Sequence, residues 1–213
     1  MGAHEIVLHY SVASRSFTAL WMLEELGLAY HRVDRDVRSG ANRAPDYLRL
    51  NPMGQVPTLQ VGRAVVSECP AICIYLADRY AYGSFAPRIE CADRGAYLTW
   101  MVFSTAVLEP AAALRDATID YGPAGEPAWG PAWGDCDGVM RVLVQALQGR
   151  DYLVGDRFTA ADVMIGSAIS MRLFANMLPR EPVLVAYQQR LAARPAFRRA
   201  SALTWPAELF ATA

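Results

Sequence analysis

Three serines and an arginine fall within residues 11–16, immediately ahead of Phe17, Leu20, Trp21, Glu24 and Leu28, whose apolar members recur at helical spacing. Hydroxyls there close a strand-to-helix turn, and Ser14 is placed to cap the helix by accepting one of its orphan amide protons. Glu68 and Cys69 open a second helical pattern, where the unpaired N–H groups of a first turn suit a carboxylate. Thr159 and Asp162 have capping-box spacing, a structural device. Other chemistry is excluded. All 20 basic residues are Arg, so no phosphate-loop lysine, Schiff-base lysine or lysine base exists. Cys69, Cys73, Cys91 and Cys136 lack CxxC spacing and a paired-histidine pattern, so neither a disulfide framework nor a metal site is expected.

The elements that must position these residues follow from the pattern. Residues 6–10 read as a strand, followed by a helix that stops at Gly27. Residues 30–37 give a second strand, 39–44 a polar loop, 45–50 a short helical segment and 51–54 a Pro/Gly turn. Residues 58–61 and 64–66 flank Gly62-Arg63 as a hairpin, and Ser67 is placed to cap a helix with Pro70 in its first turn. After residues 81–84 the alternation ends. Residues 88–115, 137–148, 159–178 and 182–193 carry helical spacing only, which predicts an all-α bundle. A Pro/Gly-rich connector or lid over 120–134 holds Trp129 and Trp133.

The 213 residues, 54% hydrophobic with a net charge of -1, suffice for one compact unit or two small ones and present no basic surface for nucleic acid. The N-terminal residues lack a basic segment with a long apolar run, and no stretch reads as apolar over 18 residues. A soluble cytoplasmic protein without membrane association is expected.

Several runs, in order, resemble one known family. They are Tyr10-Ser11 with Ser14; Leu20-Trp21-Met22-Leu23-Glu24-Glu25-Leu26-Gly27; Asn51-Pro52-Met53-Gly54-Gln55-Val56-Pro57-Thr58-Leu59; Ser67-Glu68-Cys69-Pro70-Ala71-Ile72; Tyr75-Leu76-Ala77-Asp78-Arg79-Tyr80; and Gly155-Asp156-Arg157-Phe158-Thr159-Ala160-Ala161-Asp162. Along essentially the whole chain the sequence resembles the cytosolic-type glutathione S-transferases, bacterial-like and serine-type. The resemblance implies an α/β thioredoxin-like N-terminal domain over 1–82, a linker over 83–90 and an all-α helical C-terminal domain over 91–213. It further implies a detoxifying homodimer that binds glutathione as cosubstrate, with no permanently bound cofactor.

The resemblance also implies site roles. A cis Val56-Pro57 bond turns the Val56 N–H and C=O outward to pair with glutathione as an added strand does, beside Gln55. The Cys69 N–H receives the γ-glutamyl carboxylate and Glu68 its ammonium. Arg43, beside Asn42, replaces the usual Lys at the glycyl carboxylate, with Arg38 the less favoured substitute. Favouring the glutathione thiolate by about two pKa units requires roughly 2.7 kcal/mol. One hydroxyl bond to a charged acceptor supplies about 1.5–3 kcal/mol and a helix N-terminus about 0.3–1. Ser14 is the first candidate for that hydroxyl, with Tyr10 and Ser11 as substitutes and a plain helix cap as its alternative role. The cysteine-type mechanism is unavailable because Arg15 occupies that position, where its charge adds positive potential at the thiolate. Trp100, Phe103, Val107 and Leu108 are expected to form the electrophile site, with Trp129 and Trp133 closing over it, or to be core. The implied reaction adds the thiolate to a small hydrophobic electrophile. The alternatives are an isomerase, dehalogenase or peroxidase using glutathione, and a non-catalytic binding protein.

Overall fold

In the computed structural model of the protein, residues 5–116 and 134–205 are described. The first strands and helices are β1 (Ile6–Tyr10), α1 (Ser16–Leu26), β2 (His31–Asp34) and α2 (Pro45–Leu48). They are followed by β3 (Thr58–Val61), β4 (Ala64–Ser67) and α3 (Cys69–Tyr80). A 3-10 turn, Ala41–Arg43, precedes α2 within the expected polar loop. The four strands form one sheet in the order β2-β1-β3-β4, with β1 and β2 parallel and the other neighbours antiparallel. This is the thioredoxin-like α/β arrangement. β2 is shorter than expected because it is an edge strand, exposed at three of its four positions, with only Val33 partly covered. α1 buries Phe17, Leu20, Trp21 and Leu23, and ends at Gly27 in the left-handed conformation. Ser67 does not cap α3. It pairs with Thr58 as the last residue of β4, and Glu68 occupies the N-cap position.

The chain divides into two compact units: the segment up to Ala81 with that from Ala192 onward, and Tyr82–Leu191. The expected C-terminal domain over 91–213 therefore loses its last segment to the first unit. The reason is α9 (Pro195–Thr204), a helix the sequence reading stops short of. It packs on α1, with Phe197 edge-on to both Phe17 and Trp21 at ring distances of 5.2 and 4.9 Å. Arg194 clasps Glu25 through two bonds of 2.6 and 2.7 Å, and Arg199 reaches Glu24 at 2.6 Å.

The second unit is helical throughout its named elements: α4 (Asp93–Phe103), α5 (Glu109–Asp116), α6 (Cys136–Leu147), α7 (Ala160–Phe174) and α8 (Pro182–Ala192). A π-helical turn, Ser104–Leu108, joins α4 to α5. Pro110 follows at once; lacking an N–H, it cannot complete the α-helical bond to the carbonyl four residues back, and the backbone widens there. The stretch Asp93–Arg115 is long and apolar enough to cross a membrane, with a mean hydropathy of 1.2. It is not an uninterrupted apolar run, since Asp93, Arg94 and Glu109 fall within it. Its buried side, Tyr97, Met101, Ser104 and Leu108, recurs at helical spacing, and α4 packs against α7.

α7 is the most deeply buried helix, and its start is fixed by the capping box. Asp162 accepts the Thr159 N–H at 2.9 Å, the Leu153 N–H at 3.0 Å and the Tyr187 hydroxyl at 2.8 Å. Burial pushes its carboxyl above the ordinary value, and these donors oppose the shift. The cysteines are free thiols.

Candidate functional site

Sheet register gathers the predicted residues of the first unit at one end. His9 pairs with Thr58 and Thr58 with Ser67. The next residues to leave the three strands are therefore Tyr10 and Ser11, then Pro57, then Glu68. The N-termini of α1 and α3 open at this end, so two sets of unpaired helical amides accompany the loops. Cys69 Sγ lies 3.6 Å from the Arg15 carbonyl, tying the serine turn to the start of α3.

The serine turn is internally wired. Ser14 Oγ lies 2.6 Å from the Ser11 carbonyl and 2.9 Å from Ser16 Oγ, and accepts the Ser16 N–H at 3.1 Å. Ser16 Oγ in turn accepts the Ser11 N–H at 3.2 Å. A serine has one hydroxyl proton, and the shorter contact with the Ser11 carbonyl takes that of Ser14. Ser16 then donates across the shared 2.9 Å contact. Of the three serine hydroxyls in the turn, that of Ser11, a residue 2% exposed, is left without an acceptor among the described residues, since Ser11 Oγ merely accepts a long 3.5 Å bond from the Val37 N–H. α1 begins at Ser16 with Arg15 in the N-cap position, so Ser14 caps from one residue further out than expected. Tyr10 is fully buried and its hydroxyl donates to the Leu203 carbonyl at 3.1 Å; desolvation raises its pKa. It packs beneath the turn rather than opening onto it.

The loop before β3 contains the cis Val56-Pro57 peptide bond. The N–H and C=O of Val56 have no hydrogen-bond partner among the described residues, whereas the flanking carbonyls are tied down. Asn42 is buried, and its amide donates to the Gly54 carbonyl at 2.6 Å. It braces the loop from within. Arg43 is exposed and donates from Nη1 to the Met53 carbonyl at 2.9 Å, leaving other guanidinium donors directed elsewhere. Gly54 must be glycine: a Cβ there would lie 2.8 Å from the Asn42 carbonyl and 2.9 Å from Arg43 Nη1, at a φ of +60°. The Gln55 side chain is exposed.

Glu68 is exposed at φ +69°, a left-handed conformation costing about 1–3 kcal/mol for a non-glycine residue. The Cys69 N–H behind it has no partner among the described residues. The Cys69 thiol itself is inert, because burial pushes its pKa up to about 12. Arg38 extends to solvent and lies 3.7 Å from its neighbour Asp36.

In the second unit, Trp100 and Phe103 are half-buried and meet edge to face at 5.2 Å, Val107 is half-buried, and Leu108 is core. Trp129 and Trp133 lie outside the described residues.

The family models for the glutathione S-transferase N-terminal and C-terminal domains match residues 14–79 and 136–199. Glutathione S-transferase 3 of Zea mays is 31% identical over 189 residues, covering 84% of each chain. The chain belongs to the glutathione S-transferase family. Glutathione S-transferase 2 of Schizosaccharomyces pombe is 25% identical, covering 92% of this chain and 94% of its own. Among solved structures, a theta class glutathione S-transferase from Xanthomonas axonopodis pv. citri with glutathione bound is 31% identical with a TM-score of 0.73. It covers 92% of this chain and 97% of its own. A glutathione transferase of Phanerochaete chrysosporium, at 23% identity and a TM-score of 0.78 over 97% of each chain, shares the fold. In this glutathione S-transferase, residues outside the sequence-derived site also shape it: Tyr47, Thr58 and the last carbonyls of α9. Tyr47 sits in the expected short helix, but nothing in its spacing shows that its hydroxyl reaches Gln55.

Proposed function

We propose that the protein is a serine-type transferase that holds glutathione on its first unit, lowers the thiol pKa with the Ser11 hydroxyl, and conjugates the thiolate to a small hydrophobic electrophile. The observation that carries this reading is the convergence, at one sheet end, of an uncommitted serine proton, the unpaired Val56 peptide groups and the open first turn of α3. Val56 pairs with the cysteinyl backbone of glutathione. The Cys69 N–H receives the γ-glutamyl carboxylate, Glu68 the ammonium and Arg43 the glycyl carboxylate, with Gln55 at the rim.

Thiol activation is electrostatic. The thiol proton leaves to solvent, and the sulfur anion accepts the Ser11 hydroxyl bond under the positive ends of α1 and α3 and the charge of Arg15. The thiolate then attacks an electrophilic carbon, forming the C–S bond as the leaving group departs with its electron pair. Ser14 holds the turn in shape. Trp100, Phe103 and Val107 of the second unit are the proposed contacts for the electrophile. A cytoplasmic homodimer is part of the same reading, supported by exposed Leu98 and Val102 one helical turn apart on α4.

The test is retention on immobilised glutathione followed by conjugation of a generic aryl halide. Retention with turnover supports the transferase. Retention without turnover favours a binding protein of the same fold, and no retention removes glutathione as cosubstrate. Light scattering at a few micromolar protein checks the dimer.

A further inference from the structure

The cis-proline loop is held from inside by a closed set of buried hydrogen bonds. The Gln55 carbonyl accepts from the Tyr47 hydroxyl at 2.6 Å and from Asn51 Nδ2 at 2.9 Å. Asn51 Nδ2 also donates to Thr58 Oγ1 at 3.1 Å, and Tyr47 Oη and Thr58 Oγ1 lie 2.8 Å apart. The proton count closes. Tyr47 gives its proton to Gln55, Asn51 gives one each to Gln55 and Thr58, and Thr58 gives its own to Tyr47. Asn51 Oδ1 takes the Met53 N–H at 3.1 Å. Tyr47 and Thr58 are fully buried and Asn51 is 5% exposed. The Tyr47 ring is held in turn by the Arg35 guanidinium, 5.1 Å from its centroid, which is itself bound to Asp46 at 3.0 Å.

The Gln55–Val56 peptide is trans and planar, so its C=O and the Val56 N–H point in opposite directions. Two buried donors that draw the carbonyl inward therefore aim the N–H outward. We propose that Tyr47 and Asn51 are positioning residues for peptide recognition: by clamping the Gln55 carbonyl they fix the Val56 N–H toward the backbone of the bound cosubstrate. This rests on the reading that glutathione binds there. Neither side chain touches the ligand. Their contribution is preorganisation, which spares the ligand the cost of ordering the loop.

The experiment compares wild type, Tyr47→Phe and Asn51→Asp. It uses residual dipolar couplings of the Val56 N–H in ligand-free protein and calorimetric titration with glutathione. Tyr47→Phe keeps the ring and removes only the hydroxyl, so it retains the fold; Asn51→Asp keeps the shape and removes the donor amide. The expected result is a reoriented or averaged Val56 N–H vector in both variants and a weakening of glutathione binding by about 5–10-fold. A merely structural role would lower the melting temperature and leave the vector unchanged. An unchanged Val56 vector in folded variants overturns the proposal whatever the affinity. A wild type that fails to bind glutathione, with the vector shifting as expected, overturns the glutathione reading and retains the clamp.

Discussion

The Thr204 carbonyl accepts the Ala13 N–H at 3.0 Å, so the C-terminal helix of the first unit holds the centre of the serine turn. Ala13 has a φ of +50°, a conformation that costs an alanine about 1–2 kcal/mol. One residue earlier in α9's last turn, the Leu203 carbonyl takes the Tyr10 hydroxyl. Ala13→Gly is expected to leave stability within about 1 kcal/mol of wild type, on the stabilising side. Ala13→Pro removes the donor and forbids the dihedral, and should lose at least about 3 kcal/mol. Urea unfolding of both variants checks the pair.

The hydroxyl count predicts different behaviour for two neighbouring serines. Ser11→Ala should shift the acidic midpoint of the kcat/KM profile upward by about 1–2 pH units, because a bond to the anion is lost. Ser14→Ala removes a turn brace instead; it should cost about 1 kcal/mol of stability and leave that midpoint in place. A shift in Ser14→Ala alone would reassign the thiolate donor.

Arg43 offers a separate readout. Arg43→Ala should raise the KM for glutathione about tenfold while changing the melting temperature little, since the side chain and its bond to the Met53 carbonyl are both exposed to solvent. Equal KM values in the two proteins would remove Arg43 from the glycyl carboxylate.

The buried carboxylate at α7 is the opposite case. Thr159→Ala should weaken folding by about 1 kcal/mol. Asp162→Ala leaves two buried amide protons and the Tyr187 hydroxyl without an acceptor, and should cost about 3 kcal/mol or more. Denaturant midpoints for the two variants, with glutathione affinity unchanged in whatever folds, distinguish this role from a chemical one.

Alkaline conditions act through the thiols of α3. The folded pKa of Cys69 is about 12, and that of Cys73 is also raised well above its ordinary value by burial. Unfolded thiols release their protons near pH 8.5, so between about pH 8.5 and 12 the unfolded state binds fewer protons than the native one. Stability is full below this window and falls as pH rises through it. Unfolding free energies at pH 8 and 10 measure the loss, which Cys69→Ala should reduce; a flat profile would contradict the buried assignment.

Much of this architecture is legible in the chain because local rules and tertiary packing agree there. Gly62-Arg63 marks the hairpin, Gly27 stops α1, and Thr159 with Asp162 announces α7. α9 is hidden because Arg194-Pro195 reads as an end of structure, although proline in a first turn is equally a beginning. At the site, residue types pointed to a turn and a helix start, and the family resemblance to the cis Val56-Pro57 bond. The direction of side chains such as Asn42, Tyr10 and Ser14 did not follow, since each is decided by a backbone partner distant in sequence or by competition for one proton.

The widened turn at residues 104–108 lies within one continuous helical stretch. Residues upstream of it pack on α7, those downstream on α6, and the turn touches both. The buried side set by Tyr97, Met101, Ser104 and Leu108 continues through the turn to Ala111 and Ala112, and so meets α7 first and α6 after it.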